Sequence, residues 1–320
     1  MSSLAEEARD VGSEMHALIA ELFPICRSIT GNGLRETLRL LQSHIPLETV
    51  EVASGTRVLD WTVPKEWNIR DAWIANSSGE RVVDFRKSNL HVVSYSMPVR
   101  ERMSLEELRP RLHSIPEQPD RIPYRTAYYD ANWGFCLSQR TLDSLSDDTY
   151  DVYIDSSLEP GHLTYGEYVV PGRTDDEVLI SAHCCHPSLA NDNLSGVAVA
   201  VELARYLTDH TAELRHTYRF LFIPGTIGSI TWLAKNADVA ARIRHGLVLS
   251  CVGGPGPVSY KRSRRGDALV DRAAEHVLKR SGSTYAIRDF VPYGNDERQY
   301  CSPGFNLAVG SLTRTPDGQY

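Results

Sequence analysis

Apolar residues recur at helical spacing in two runs near the start of the chain. In "SEMHALIAELFPIC" (13–26) Met15, Leu18, Ile19 and Leu22 fall on one face, and in "GLRETLRLLQSHI" (33–45) Leu34, Leu38 and Leu41 do the same. "TGNG" between them carries the residues that interrupt helices, so the pattern predicts a helical stretch over 13–45 with a central break. Between 50 and 150 the texture changes. "VLDWTVPKEWNIRDAWIANSSGERVVDF" and "YRTAYYDANWGFCLSQ" mix Trp, Tyr and β-branched residues with turn clusters, which predicts short strands and hairpins. "SLEELRPRLHSI" reads as a short helix within this section.

From residue 151 strand and helix patterns alternate. "YDVYIDSSLE", "LTYGEYVV", "EVLISAH", "TYRFLFIP" and "HGLVLSCVG" read as strands, while "GVAVAVELARYLTDH" and "DALVDRAAEHVLKRSG" read as helices. This rhythm predicts an α/β fold, a mostly parallel mixed sheet flanked by helices. Residues 51–150, which hold four of the five tryptophans, read as a β-rich subdomain inserted between 1–50 and 151–320. In such sheets ligand chemistry gathers at the carboxyl ends of the strands.

Composition narrows the partners. With 42% hydrophobic and 23% charged residues the chain is an ordinary globular one, and its net charge of −7 argues against a nucleic-acid partner. The basic run "YKRSRRG" (260–266) is read as a solvated loop, with an anion-holding loop as the sharper alternative. No apolar stretch approaches the ~18 residues that span a bilayer, and the acidic start lacks the features of a secretory signal. The six cysteines show no CxxC pair, which fits a reducing cytoplasm. Homo-oligomerisation stays open.

One stretch concentrates chemistry. "ISAHCCHPSLANDNLSG" (180–196) follows a buried strand pattern and holds His183, His186 and Asp192. Taken singly, each histidine reads as satisfying buried backbone groups, and Asp192 as capping the next helix. Together at a strand end they read as a metal site, because imidazole nitrogens and a carboxylate oxygen are the donors zinc takes. Cys184 or Cys185 beside a histidine could instead be a nucleophile. Two small apolar cysteines finishing a buried strand account for themselves without reactivity.

The residues also carry a resemblance. "HCCHPSLANDNLSG" resembles the metal-binding segment of the zinc aminopeptidase superfamily, where a strand-end histidine is followed by an aspartate in a "DN-x-SG" turn. "LFPICRSITGNGLRETL" (22–38), "SYKRSR" (259–264) and "GNDERQYCSPGFNLAVGSLTRT" (294–315) are similar to an aminopeptidase-like family of bacterial sugar-polymer and natural-product gene clusters. The resemblance spans nearly the whole chain and implies a zinc-exopeptidase fold with an inserted β-rich domain. It implies that His183 and Asp192 ligate zinc, with His186 as a further ligand or a supporting partner. One ion is implied, since Cys251 stands near the place of the aspartate that two-metal members use. Asp296 and Glu297 then become the candidate catalytic carboxylates, and Tyr293, Arg298 and Tyr300 the candidate substrate-binding residues. For Arg298 an ion pair with Asp296 or Glu297 is the alternative role. The implied substrate is a small peptide or an amide-bearing small molecule.

This sequence departs from the family pattern in two places. Where close relatives resemble "FIPETIGS" this chain reads "FIPGTIGS", with Gly225 at the place of the general-base glutamate. A positioned general base contributes typically ~10²–10⁴-fold, so its loss points to low turnover unless another carboxylate substitutes. The resemblance also implies a last zinc ligand from a histidine segment after "RTPDGQY", whereas no histidine follows His276 in these 320 residues. His276 itself reads as a surface or packing residue of a helix. The expectation is therefore a zinc-dependent peptide or amide hydrolase impaired at its base, with a silent binding or scaffold relative as the alternative.

Overall fold

The computed structural model describes the backbone of residues 2–315 and the side chains of residues 11–315. Its centre is a mixed eight-stranded sheet. Across the sheet the strands run Glu48–Ala53, His162–Val170, His216–Ile223, Thr174–His183, Ile243–Leu249, Val309–Thr313, Val258–Lys261 and Tyr285–Arg288. Thr174–His183 lies parallel to both of its neighbours, and Ile243–Leu249 lies parallel to Val309–Thr313. In register His183 stands beside Ile223, and Ser181 beside Val248, so three parallel strands end at nearly one level. The α/β class expected from the alternation is the one found.

Strand periodicity splits the core into two layers. Ile180, Ala182, Phe220 and Phe222 pack on one face, with Leu34, Leu38, Val197 and Val201 of the helices Asn32–Leu41 and Ser195–Asp209. Leu179, Leu221, Ile223 and Val248 point to the other face and meet Ile227, Ile230 and Trp232 of the helix Ile227–Lys235. Alternate residues on opposite faces are what an extended backbone requires. Burying about 1.5–3 kcal/mol of transfer free energy per large apolar side chain on each face holds the strands in that register.

The first helices follow the sequence pattern, and the break between them has a steric cause. Gly31 has φ +97°, and a Cβ there would lie 2.1 Å from the Trp67 carbonyl oxygen. Only glycine allows that approach. The Trp67 strand belongs to a second, antiparallel sheet ordered Arg81–Asp84, Glu66–Ala75, Thr149–Glu159, Val99–Ser104. That sheet has its own core of Ala72, Ile74, Phe135, Tyr150, Val152 and Ile154.

Two local readings need correction. "SLEELRPRLHSI" forms only a one-turn α-helix, Leu105–Leu108, because Pro110 cannot continue it and the chain passes into a 3₁₀ turn over Arg109–Arg111. "YRTAYYDANWGFCLSQ" is largely irregular, with one short strand at Phe135–Cys136. Its tyrosines pack and hydrogen-bond one another near the sheet's carboxyl edge, as with the Tyr124 and Tyr128 hydroxyls 2.8 Å apart. No helix among the described residues is long and apolar enough to cross a membrane.

Candidate metal centre

His183 is the last residue of its strand, and Asp192 lies in the turn before the helix Ser195–Asp209. The turn folds back so that His183 Nε2 is 2.8 Å from Asp192 Oδ1, and His186 Nδ1 is 3.2 Å from Asp192 Oδ2. The two imidazole rings have centroids 4.8 Å apart. One donor atom from each of the three residues lies within 4.8 Å of the others.

Asn193 fixes this turn. Its Nδ2 donates to the carbonyls of His183 (3.2 Å) and Leu249 (2.9 Å), and its Oδ1 accepts from Cys251 N (3.0 Å). Ser195 Oγ donates to Asn191 O and accepts from Val252 N. Gly196 is required beside them, since a Cβ there would lie 2.5 Å from the Leu249 carbonyl oxygen. The "NDNLSG" text is thus a knot tying the aspartate to two neighbouring strand ends.

Sequence reading overlooked the support under His186. Arg27, 1% exposed, donates from Nε to the His186 carbonyl (3.0 Å) and from Nη1 to the Leu22 carbonyl (2.5 Å). Burial pulls its guanidinium down to about 10. Tyr124 presents its ring to His186 at 5.0 Å between centroids. The available signal for Arg27 was its place within "LFPICRS".

Burial opposes charge on all three candidate ligands, yet their mutual pairing outweighs it. His186 and His183 hold the Asp192 carboxyl far below the usual range. Asp192 pushes His183 up, and Cys185 together with Asp192 pushes His186 well up. Two imidazoles and a carboxylate are donor types that zinc takes. Ligands at about 2.1 Å around a tetrahedral zinc stand about 3.4 Å apart. The Asp192 oxygens stand 2.8 and 3.2 Å from the two imidazole nitrogens, and one donor atom of each residue lies within 4.8 Å of the others, a spread that brackets that spacing. The residues fit the ion.

The cluster opens on a cavity of about 560 Å³ whose wall includes His183, Cys185, His186, Tyr128, Gly225 and Asp296. Gly225 donates its backbone N–H to Cys185 Sγ at 3.2 Å. A Cβ at Gly225 would sit 3.7 Å from His183 Cβ and 3.8 Å from Cys185 Sγ, ordinary contact distances. A side chain at 225 would therefore stand beside His183, one of the candidate metal ligands.

The other predicted residues separate. Asp296, 1% exposed, accepts through Oδ1 from Thr226 N (2.6 Å) and Ser229 Oγ (2.8 Å), while its Oδ2 has no partner among the described residues. Burial raises its pKa. Glu297 does not line the cavity. It is fully buried, its carboxylate 2.5 Å from Lys261 Nζ, and burial pushes it up too. Tyr300 is buried within the core with its hydroxyl 3.0 Å from Ser181 Oγ. Tyr293 is exposed, and its carbonyl accepts from Lys261 Nζ. Arg298 lines a neighbouring cavity and forms no ion pair with the described residues, Asp296 and Glu297 included. His276 is exposed on the helix Leu269–Arg280 and takes no part in the cluster.

The sequence signature of a family described as Domain of unknown function (DUF4910) matches residues 16–320. The chain belongs to this family. It is 56% identical over 310 residues to a Clostridium acetobutylicum protein named for polysaccharide biosynthesis and an aminopeptidase-like domain, covering 97% of this chain and 71% of that one. A crystal structure from the same organism, titled as a peptidase, superposes with TM-score 0.95 at 55% identity, covering 99% of this chain and 75% of that one. The zinc aminopeptidase of Bacillus subtilis shares the fold at TM-score 0.67 and 11% identity, over 98% and 86% of the two chains. This DUF4910 domain thus has the zinc-aminopeptidase fold, with the candidate metal centre at the carboxyl edge of its parallel strands.

Proposed function

We propose that the domain is a zinc-dependent hydrolase of peptide or amide bonds, aminopeptidase-like, whose turnover is limited by Gly225. The observation that carries this reading is the convergence of His183, His186 and Asp192 at the strand ends, beside a cavity that the two histidines line. The Clostridium relatives, named for an aminopeptidase-like domain and titled as a peptidase, support it. The proposed substrate is a small peptide or amide-bearing molecule, handled in the cytoplasm during biosynthesis of a polymer or small molecule.

When bound, zinc supplies Lewis-acid polarisation of the scissile carbonyl and acidifies a water. The protein's own groups do the rest. Water adds to the carbonyl carbon, the C–N bond breaks, and the proton lost by water ends on the departing amine. With glycine at 225, two carboxylates line the cavity, Asp130 and Asp296; Asp296 is the buried one, and the raised pKa that burial gives it suits proton acceptance. Its bonds to Thr226 N and Ser229 Oγ hold it in place.

Metal analysis of the purified protein, paired with peptide hydrolysis by the Gly225 and Gly225→Glu forms, tests this. The expected result is about one zinc per chain in both forms and a rate at least about 10²-fold higher with glutamate. Asp192→Asn should abolish retention of the metal. Absence of zinc from both forms would overturn the proposal.

A further inference from the structure

A second cavity adjoins the first. It has a volume of about 670 Å³ and shares Trp61 and Thr226 with the cavity that holds the candidate metal ligands. Its remaining wall combines Ile230, Phe290 and Pro292 with two arginines, Arg264 and Arg298. Arg298 is half-buried and Arg264 exposed. Neither guanidinium has an ion-pair or hydrogen-bond partner among the described residues. Two guanidiniums outside any ion pair, on a wall that also carries Ile230, Phe290 and Pro292 beside the polar Gln299 and Ser302, supply donors that a carboxylate with an apolar neighbour would complete.

Trp61 and Thr226 stand in the walls of both cavities. Trp61, on the short hairpin Arg57–Val58/Trp61–Thr62, is 41% exposed and leans on Tyr129 at 5.3 Å between ring centroids. An aromatic ledge between a metal cavity and an arginine-bearing apolar cavity suits a ligand that occupies both. Thr226, the other shared residue, is held by its N–H bond to Asp296.

From this geometry we infer that the second cavity is a carboxylate subsite. It selects short peptides whose apolar C-terminal residue lies against Trp61 and Phe290, and whose free carboxylate meets Arg298 and Arg264. This rests on the amide-hydrolase reading for the position of the scissile bond.

Calorimetric titration of the protein with its natural Gly225 tests this, using leucyl-phenylalanine and leucyl-phenylalanine amide as probes. The two differ only in the terminal charge. The free acid is expected to bind about tenfold more tightly, the usual scale of a charge-assisted hydrogen-bond pair. The double variant Arg264→Gln with Arg298→Gln should erase that preference and leave the affinity for the amide unchanged, whereas Arg298→Lys, which keeps a charge, should retain part of it. Equal binding of acid and amide, binding of neither, or a preference that survives in the folded double variant would overturn the inference. Zinc content of the same samples separates the two proposals. Metal-free protein that prefers the acid keeps the subsite and sinks the metal-hydrolase reading, and zinc-loaded protein without preference does the reverse.

Discussion

Arg27 and His186 stand 159 residues apart in the chain, and a 3.0 Å hydrogen bond joins the guanidinium of one to the carbonyl of the other. The first lies just after the helix Ser2–Leu22, and the second lies in the loop that carries the candidate ligands. Arg27→Met removes both this bond and the one to the Leu22 carbonyl; Leu22 O keeps Ile25 N as a donor, so the His186 carbonyl is the acceptor left short. Bonds of this kind to charged groups are worth about 1.5–3 kcal/mol each. Denaturant unfolding should show a loss of about 2–4 kcal/mol, and zinc affinity should fall because His186 is no longer held.

Two glycines near the centre should respond oppositely to one added methyl group. At Gly196 a Cβ would lie 2.5 Å from both the Leu249 carbonyl oxygen and Asn193 Oδ1, so Gly196→Ala should cost about 2 kcal/mol or more and weaken metal binding. At Gly225 the nearest atom to a Cβ is 3.7 Å away, so Gly225→Ala should shift stability by less than about 1 kcal/mol. Thermal melts of the two variants provide the comparison. A large loss at 225 would contradict the space found there.

Asp296 and Glu297 are adjacent in sequence yet differ in surroundings, one in the cavity wall and one paired with Lys261. In the protein with its natural Gly225, Asp296→Asn should lower turnover with zinc content unchanged. Glu297→Gln should mainly lower stability, by about 3 kcal/mol, since it removes the countercharge of a buried cation. Turnover and unfolding measured side by side distinguish the two.

Glu66 fastens the first helical segment to the second sheet. Its carboxylate accepts two bonds from Arg35 (2.8 and 2.6 Å), one from His162 N and one from Asn68. The Arg35 bonds, opposed by burial and helped by the other two, hold its pKa down to about 2 from the usual 4.5. A depressed carboxyl contributes stability above about pH 4.5 and loses it as pH falls towards 2. Glu66→Gln should therefore destabilise at pH 7 by about 1–2 kcal/mol, allowing for solvent screening, and the difference should vanish near pH 2. Unfolding midpoints of both forms across pH 2–7 would show it.

Much of the fold was legible because each strand and helix writes its own period. "EVLISAH" and "TYRFLFIP" are apolar on both faces, and the structure buries both faces. His183 and Asp192 were legible as a pair because a strand end and the following helix entry are local features. Arg27, Tyr124 and Tyr128 were not, since they come from distant segments and tertiary packing alone brings them together. The tyrosine-rich run misled because its rings fill a loop instead of covering a sheet. Asp296 and Glu297 lie at the start of a one-turn helix, where neighbouring side chains diverge by about 100°, and no text motif records which of them faces the cavity.

Asn193 bonds at once to the His183 and Leu249 carbonyls and to Cys251 N, so it acts as a crossbar between two strand ends with Asp192 mounted on it. Loading the mount and holding the strands together are then a single equilibrium. An ion that binds only when the crossbar is in place adds its binding free energy to that of the sheet, about 2.7 kcal/mol at a hundredfold excess over its dissociation constant. The sheet's melting behaviour becomes a gauge of occupancy that needs no substrate and no turnover, and it works whatever residue stands at 225.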